Sequence, residues 1–142
     1  MSWVVDTCVV IDLLDDDPRF GAASALRLSA LAAEGLVVCP ITYVELAPAF
    51  DGSTDLQQHF LSSVGIDWTE PWTDRDTRTA HQAWQRHVRR RRRGQTRKRP
   101  LADILIGAFA TRFVGVITRN PDDFTGVFPD LAVSDPMAQQ GR

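Results

Sequence analysis

Four acidic positions fall where apolar runs give way to polar residues. Asp6 lies in "VVDTCVVID", Glu45 in "ITYVELAPAF", Asp103 in "PLADILIGAFAT", and Asp122 with Asp123 in "VITRNPDDF". Carboxylates brought together cannot all stay ionised without a compensating cation. An all-oxygen donor set suits a hard divalent ion, Mg²⁺ or Mn²⁺. Helix N-termini soften the repulsion by only about 0.3–1 kcal/mol each, too little to replace the ion. Gly107 and Ala110, one and two turns beyond Asp103, keep its side of the helix slim, while Leu101, Leu105 and Phe109 pack elsewhere. Each acid also has an architectural role open to it. Asp6 suits a strand-to-turn handover, Thr42 and Glu45 fit the S/T-x-x-E capping box, and Asp103, Asp122 or Asp123 complement a helix dipole, the last two after an Asn120 cap.

The elements that must position these acids follow from hydrophobic patterning. Short apolar runs at 3–6, 36–40, 64–68, 114–118 and 131–133 read as strands. Helical spacing covers 20–35, 41–50 with an interruption near Pro48, 53–63, and a long segment capped by Asp74 and ended by Gly94. A helix over 100–113 opens on Pro100, and a short helical turn covers 120–124. Strands that are apolar throughout and alternate with helices predict an α/β chain, a three-layer α/β/α sandwich around a central, mostly parallel sheet. In such a sheet every strand delivers the chain to one rim, where ligands bind. The acids are expected there.

The 142 residues suit a single domain spanning 1–142. Cys8 and Cys39 form no CxxC, and His59, His81 and His87 have no zinc-ligand spacing, so a reducing, cytoplasmic location is expected. No apolar stretch approaches the roughly 20 residues of a membrane span. The net charge of -2 conceals an asymmetry: residues 86–99, "RHVRRRRRGQTRKR", hold nine of the sixteen basic residues and no acid. Such a run is either a solvated face or a phosphate-binding surface. Arg89, Arg90, Arg91, Arg92, Arg93, Arg97, Lys98 and Arg99 are its candidate RNA-contacting side chains. Trp84 either packs in the core or stacks on a base.

The quoted motifs, in this order and in a chain of this length, resemble the PIN-domain family, in particular the VapC-type ribonuclease toxins. The resemblance implies a PIN-like fold and a metal-dependent endoribonuclease, the toxin of a type II toxin–antitoxin pair, that leaves a 5′-phosphate. Carried over by position, it implies Asp6, Glu45, Asp103 and Asp123 as catalytic and metal-binding residues holding Mg²⁺ or Mn²⁺. Thr7, Thr118, Asn120 and Asp122 are implied as supporting residues, with Thr7 or Thr118 orienting a water or a phosphate oxygen. It further implies an RNA substrate, a VapB-like antitoxin whose tail blocks the acidic cleft, a homodimer, and a heterotetramer or larger assembly with antitoxin. Two other classes compete. A non-catalytic RNA-binding module needs only segment 86–99. Aspartyl phosphotransferases of the haloacid-dehalogenase type require Asp-x-Asp where this chain has Asp6-Thr7-Cys8, and receiver domains require an acidic pair and a late lysine, whereas Lys98 is the sole lysine.

Overall fold

The computed structural model describes residues 1–96 and 100–138. Its centre is a five-stranded, wholly parallel sheet of β1 (Trp3–Val5), β2 (Leu36–Val37), β3 (Ile66–Asp67), β4 (Gly115–Ile117) and β5 (Ala132–Ser134), in the order β3-β2-β1-β4-β5. Val4 faces Val37 on one side and Val116 on the other, Val37 pairs with Asp67, and Val116 with Val133. The chain leaves β1 toward β2 and β3, then returns to place β4 on the opposite side of β1. The carboxyl ends of β1 and β4 therefore flank the point where strand order reverses, the place where open α/β sheets form a ligand crevice.

Alternating side chains divide the core between the two faces of the sheet. Val5 and Ile117 pack with Val9, Val10, Leu28 and Leu61 beneath α1 (Thr7–Leu14), α2 (Gly21–Leu31) and α4 (Thr54–Ser63). Val4, Val37 and Val116 pack with Ile106, Phe109 and Ala110 of α6 (Leu101–Ala110), with Ile41 of α3 (Pro40–Glu45) beside them. Beyond α6, Ala80 and Ala83 of α5 (Asp74–Arg92) close on Ile104 and Ala108. The short helix α7 (Asp122–Thr125) follows β4 and buries Phe124 in the α6 face.

Several boundaries differ from the sequence reading for identifiable reasons. The apolar run after Asp6 is the separate helix α1: Asp6 takes an extended conformation and its carboxylate accepts the Thr7 N–H, which starts the helix. Pro40 begins α3 at once, shortening the expected 36–40 strand to two residues. Thr42 consequently lies within α3 and Glu45 is its last residue, so they form no capping box. A short 3-10 turn, Ala47–Phe50, replaces the second half of the expected 41–50 helix. The cap of α5 is Thr73 instead of Asp74. Its hydroxyl accepts the Asp76 N–H while the Asp76 carboxylate accepts the Thr73 N–H, and Asp74 pairs with Arg78. Gly94, at φ +70°, ends this helix as expected.

Candidate functional site

Asp6 closes β1 at the switch point and is only 6% exposed. Its Oδ1 accepts the Thr7 N–H at 2.8 Å, and its Oδ2 accepts the Thr118 hydroxyl at 2.8 Å and the Cys8 thiol at 3.4 Å. Thr118 follows β4 directly, so the bond to Asp6 spans the crevice between the two strands. It is fully buried, and its oxygen also accepts the Asn120 N–H at 3.0 Å. Its one proton is committed to Asp6. Thr118 thus holds the carboxylate.

Thr7 carries the connection to α3. Its hydroxyl stands 2.7 Å from Glu45 Oε1 and 2.9 Å from Thr42 Oγ1. A hydroxyl has one proton, and the carboxylate is the stronger acceptor, so Thr7 orients Glu45. Burial pushes the Asp6 carboxyl above the ordinary value of 3.8; hydrogen bonds from Thr118, Cys8 and Thr7 pull it back, and the Glu45 charge adds to the rise. Burial, then the Asp6 charge, pushes the Cys8 thiol up to about 12, so it serves as a neutral donor to Asp6 and not as a nucleophile. Cys39 is likewise pushed up to about 12 by burial.

Asp103 reaches the same rim through topology. Helix α6 runs into the parallel strand β4 and must therefore descend against the strand direction, which puts its first turn, and half-buried Asp103, at the carboxyl-end rim. Gly107 does not leave open space one turn further on: a Cβ there would stand 2.3 Å from the Phe128 ring, which fills the gap. Asn120, Asp122 and Asp123 occupy the turn after Thr118, with the Asp123 N–H donating to the Asn120 carbonyl at 3.0 Å. Asp123 is half-buried, whereas Asp122 faces solvent. The structure thus links Asp6, Thr7, Glu45, Thr118 and Asn120 through hydrogen bonds and sets Asp103, Asp122 and Asp123 on the same rim.

The residues suit a hard divalent cation by donor chemistry: oxygen ligands, a buried carboxylate whose ionised form is disfavoured, and a second carboxylate adding to that cost. Arg119, which adjoins the turn, is engaged by Asp12. Among the described residues, no three His, Cys, Asp or Glu side chains are gathered into a preformed metal cage.

The basic segment continues α5 to Arg92. Arg89, Arg90, Arg91, Arg92 and Arg93 lie in exposed positions, Arg90 donating to the Gly126 carbonyl at 2.6 Å. Arg97, Lys98 and Arg99 lie outside the described residues. Asp76, fully buried, receives Arg112 Nε at 2.6 Å and Nη2 at 2.9 Å, tying the start of α5 to the end of α6. Ala80 and Ala83 of α5 then meet Ile104 and Ala108 of α6, and further along Arg86 borders a cavity with Thr111, Val127, Pro129 and Ala132. Trp84 is half-buried against the α5–α6 core and borders an apolar groove of about 480 Å³ with Ile41, Trp72, Leu101 and Leu105.

Two solved structures share the architecture over nearly their whole length. VapBC2 from Rickettsia felis, bound to a DNA fragment from its promoter, superposes with a TM-score of 0.69 at 16% identity, covering 95% of this chain and 98% of that one. FitAcB from Neisseria gonorrhoeae gives a TM-score of 0.70 at 21% identity, covering 98% and 100%. The fold is PIN-like. No family model and no curated protein matches the sequence. On the PIN-like frame, the switch-point crevice between β1 and β4 is where Asp6 and Thr118 meet. Asp12 and Arg119 are the residues that sequence reading passed over. Both stood within quoted motifs, but 107 positions of sequence separate them, and no local pattern announces their contact.

Proposed function

We propose that this chain is the toxin of a type II toxin–antitoxin pair and acts as a metal-dependent endoribonuclease. The observation that carries the reading is the buried Asp6 carboxylate at the switch point, held by Thr118 and joined through Thr7 to Glu45. Asp6, Glu45 and Asp103 would hold a Mg²⁺ or Mn²⁺ ion, with Asp123 completing the set. Such an ion supplies Lewis-acid charge against the negative charge that builds on a phosphodiester during hydrolysis. The chain's own residues then have distinct tasks. Thr118 and the Thr7 N–H fix both oxygens of Asp6, Thr7 aims Glu45, and the exposed arginines of α5 bind the sugar–phosphate backbone and lead it to the rim. Water adds to phosphorus, the P–O3′ bond breaks, and the departing 3′-oxygen takes a proton, leaving a 5′-phosphate. The similarity to the VapBC2 and FitAcB structures supports an antitoxin partner, whose tail would cover the acidic cleft, and assembly as a homodimer that joins with antitoxin into a heterotetramer or larger complex.

Incubating the purified chain with single-stranded RNA tests the activity. Cleavage should stop in EDTA, return with Mg²⁺ or Mn²⁺, and disappear in Asp103→Asn while the circular dichroism spectrum is unchanged. Comparable cutting by Asp103→Asn overturns the assignment. RNA binding without cutting under any divalent condition replaces it with the non-catalytic module, which the exposed arginines alone would support. Mapping 5′ ends across total RNA after brief induction identifies the substrate.

A further inference from the structure

We infer that Asp12 and Arg119 are positioning residues of the acidic rim, a clamp that holds the 118–120 turn against α1 so that the Thr118 hydroxyl is aimed at Asp6. The consequence for cleavage rests on the nuclease reading above; the clamp itself rests on geometry. Asp12, in the second turn of α1, is 3% exposed. Both its oxygens are used by one guanidinium: Arg119 Nε donates to Oδ2 at 2.5 Å and Nη2 donates to Oδ1 at 3.1 Å. Ser24 of α2 adds a hydroxyl 3.4 Å from Oδ2, and the guanidinium carbon lies 4.0 Å from the centre of the Phe20 ring.

The clamp sits in the backbone between the two residues that complete the rim. Thr118 donates to Asp6, and the Asn120 N–H donates back to the Thr118 oxygen. Asp6 caps the same helix that carries Asp12. One rigid helix thus holds one end of the Asp6–Thr118 bond directly and the other end through Arg119. A planar, two-pronged guanidinium fixes orientation as well as distance, which a lysine ammonium does not. The pairing also keeps the Arg119 cation on Asp12.

The test uses the full chain with Arg119→Gln, Asp12→Asn, the double variant and Arg119→Lys. The double variant removes both charges together, so that a buried unpaired charge does not unfold the protein. The first readout is independent of activity: hydrogen exchange of the Asn120 amide, measured by NMR. We expect at least tenfold faster exchange in Arg119→Gln and in the double variant, with the Val116 amide of β4 changed less than twofold and Arg119→Lys intermediate. The second readouts are Mn²⁺ affinity by calorimetry and the kinetics of oligoribonucleotide cleavage, where kcat should fall at least tenfold and KM stay within threefold, because Arg119 does not touch RNA. Unchanged Asn120 exchange overturns the clamp. So does faster exchange with unaltered Mn²⁺ affinity and kcat, which would make the pair a structural tie alone, and so does a raised KM at constant kcat, which would make Arg119 an RNA contact. If the parent chain neither binds Mn²⁺ nor cuts RNA while the amide responds as expected, the nuclease reading fails and the clamp stands.

Discussion

Asp6 is held in a position that disfavours its own charge. Burial raises its pKa in the folded chain above the ordinary 3.8, and Glu45 adds to the effect. A carboxyl whose pKa rises on folding contributes stability below its unfolded value and loses that contribution as pH climbs through the folded value. Asp6→Asn should therefore melt at a higher temperature than the parent in EDTA at pH 7.5, and the difference should vanish near pH 4. A lower melting temperature at pH 7.5 would show that the hydrogen bonds from Thr118, Cys8 and Thr7 outweigh burial. Asp6, Glu45 and Asp103 were legible as candidates because each stands at an apolar-to-polar junction. Thr118's task was not, since the direction of a hydroxyl depends on a strand 112 residues away in the chain.

At the scale of elements, the packing of α5 on α6 depends on one buried ion pair. Asp76 accepts Arg112 through both oxygens and also satisfies the Thr73 N–H at the start of α5. Arg112 in turn donates to the Pro71 carbonyl and lies 5.0 Å from the ring centres of Phe109 and Phe113. Removing one partner leaves a desolvated charge behind, so Asp76→Ala should cost about 3–5 kcal/mol in urea unfolding. A loss below about 1 kcal/mol would mean that the aromatic packing alone aligns the helices. Element types were largely readable from patterning, because wholly apolar runs separated by helical spacing admit few sheets other than a covered parallel one. Boundaries were less so. Val9, Val10 and Ile11 have strand-like residue types, and only the Asp6 cap separates α1 from β1. The Thr42/Glu45 spacing imitates a capping box because a six-residue helix begun by Pro40 happens to end at Glu45.

Over the whole molecule, charge is segregated. Five exposed arginines close α5, one of them, Arg90, bonded to the Gly126 carbonyl just after α7. If about five of them neutralise single-stranded phosphates, log affinity for RNA should fall with log salt at a slope of roughly -3.5, measured in EDTA to prevent cutting. A nearly flat slope would make the segment a solvated surface. Among the described residues no helix is long and apolar enough to cross a membrane.

The strand order also governs when the site can exist. The carboxylate that closes β1 emerges from the ribosome well before the hydroxyl that holds it, which follows β4, 112 residues later. At about 5–20 residues per second that is a delay of roughly 5–20 s. Until then the central strand lacks a neighbour on one side and the crevice has a single wall. On the proposed reading, a nascent chain could not attack the message from which it is being translated until β4 has emerged.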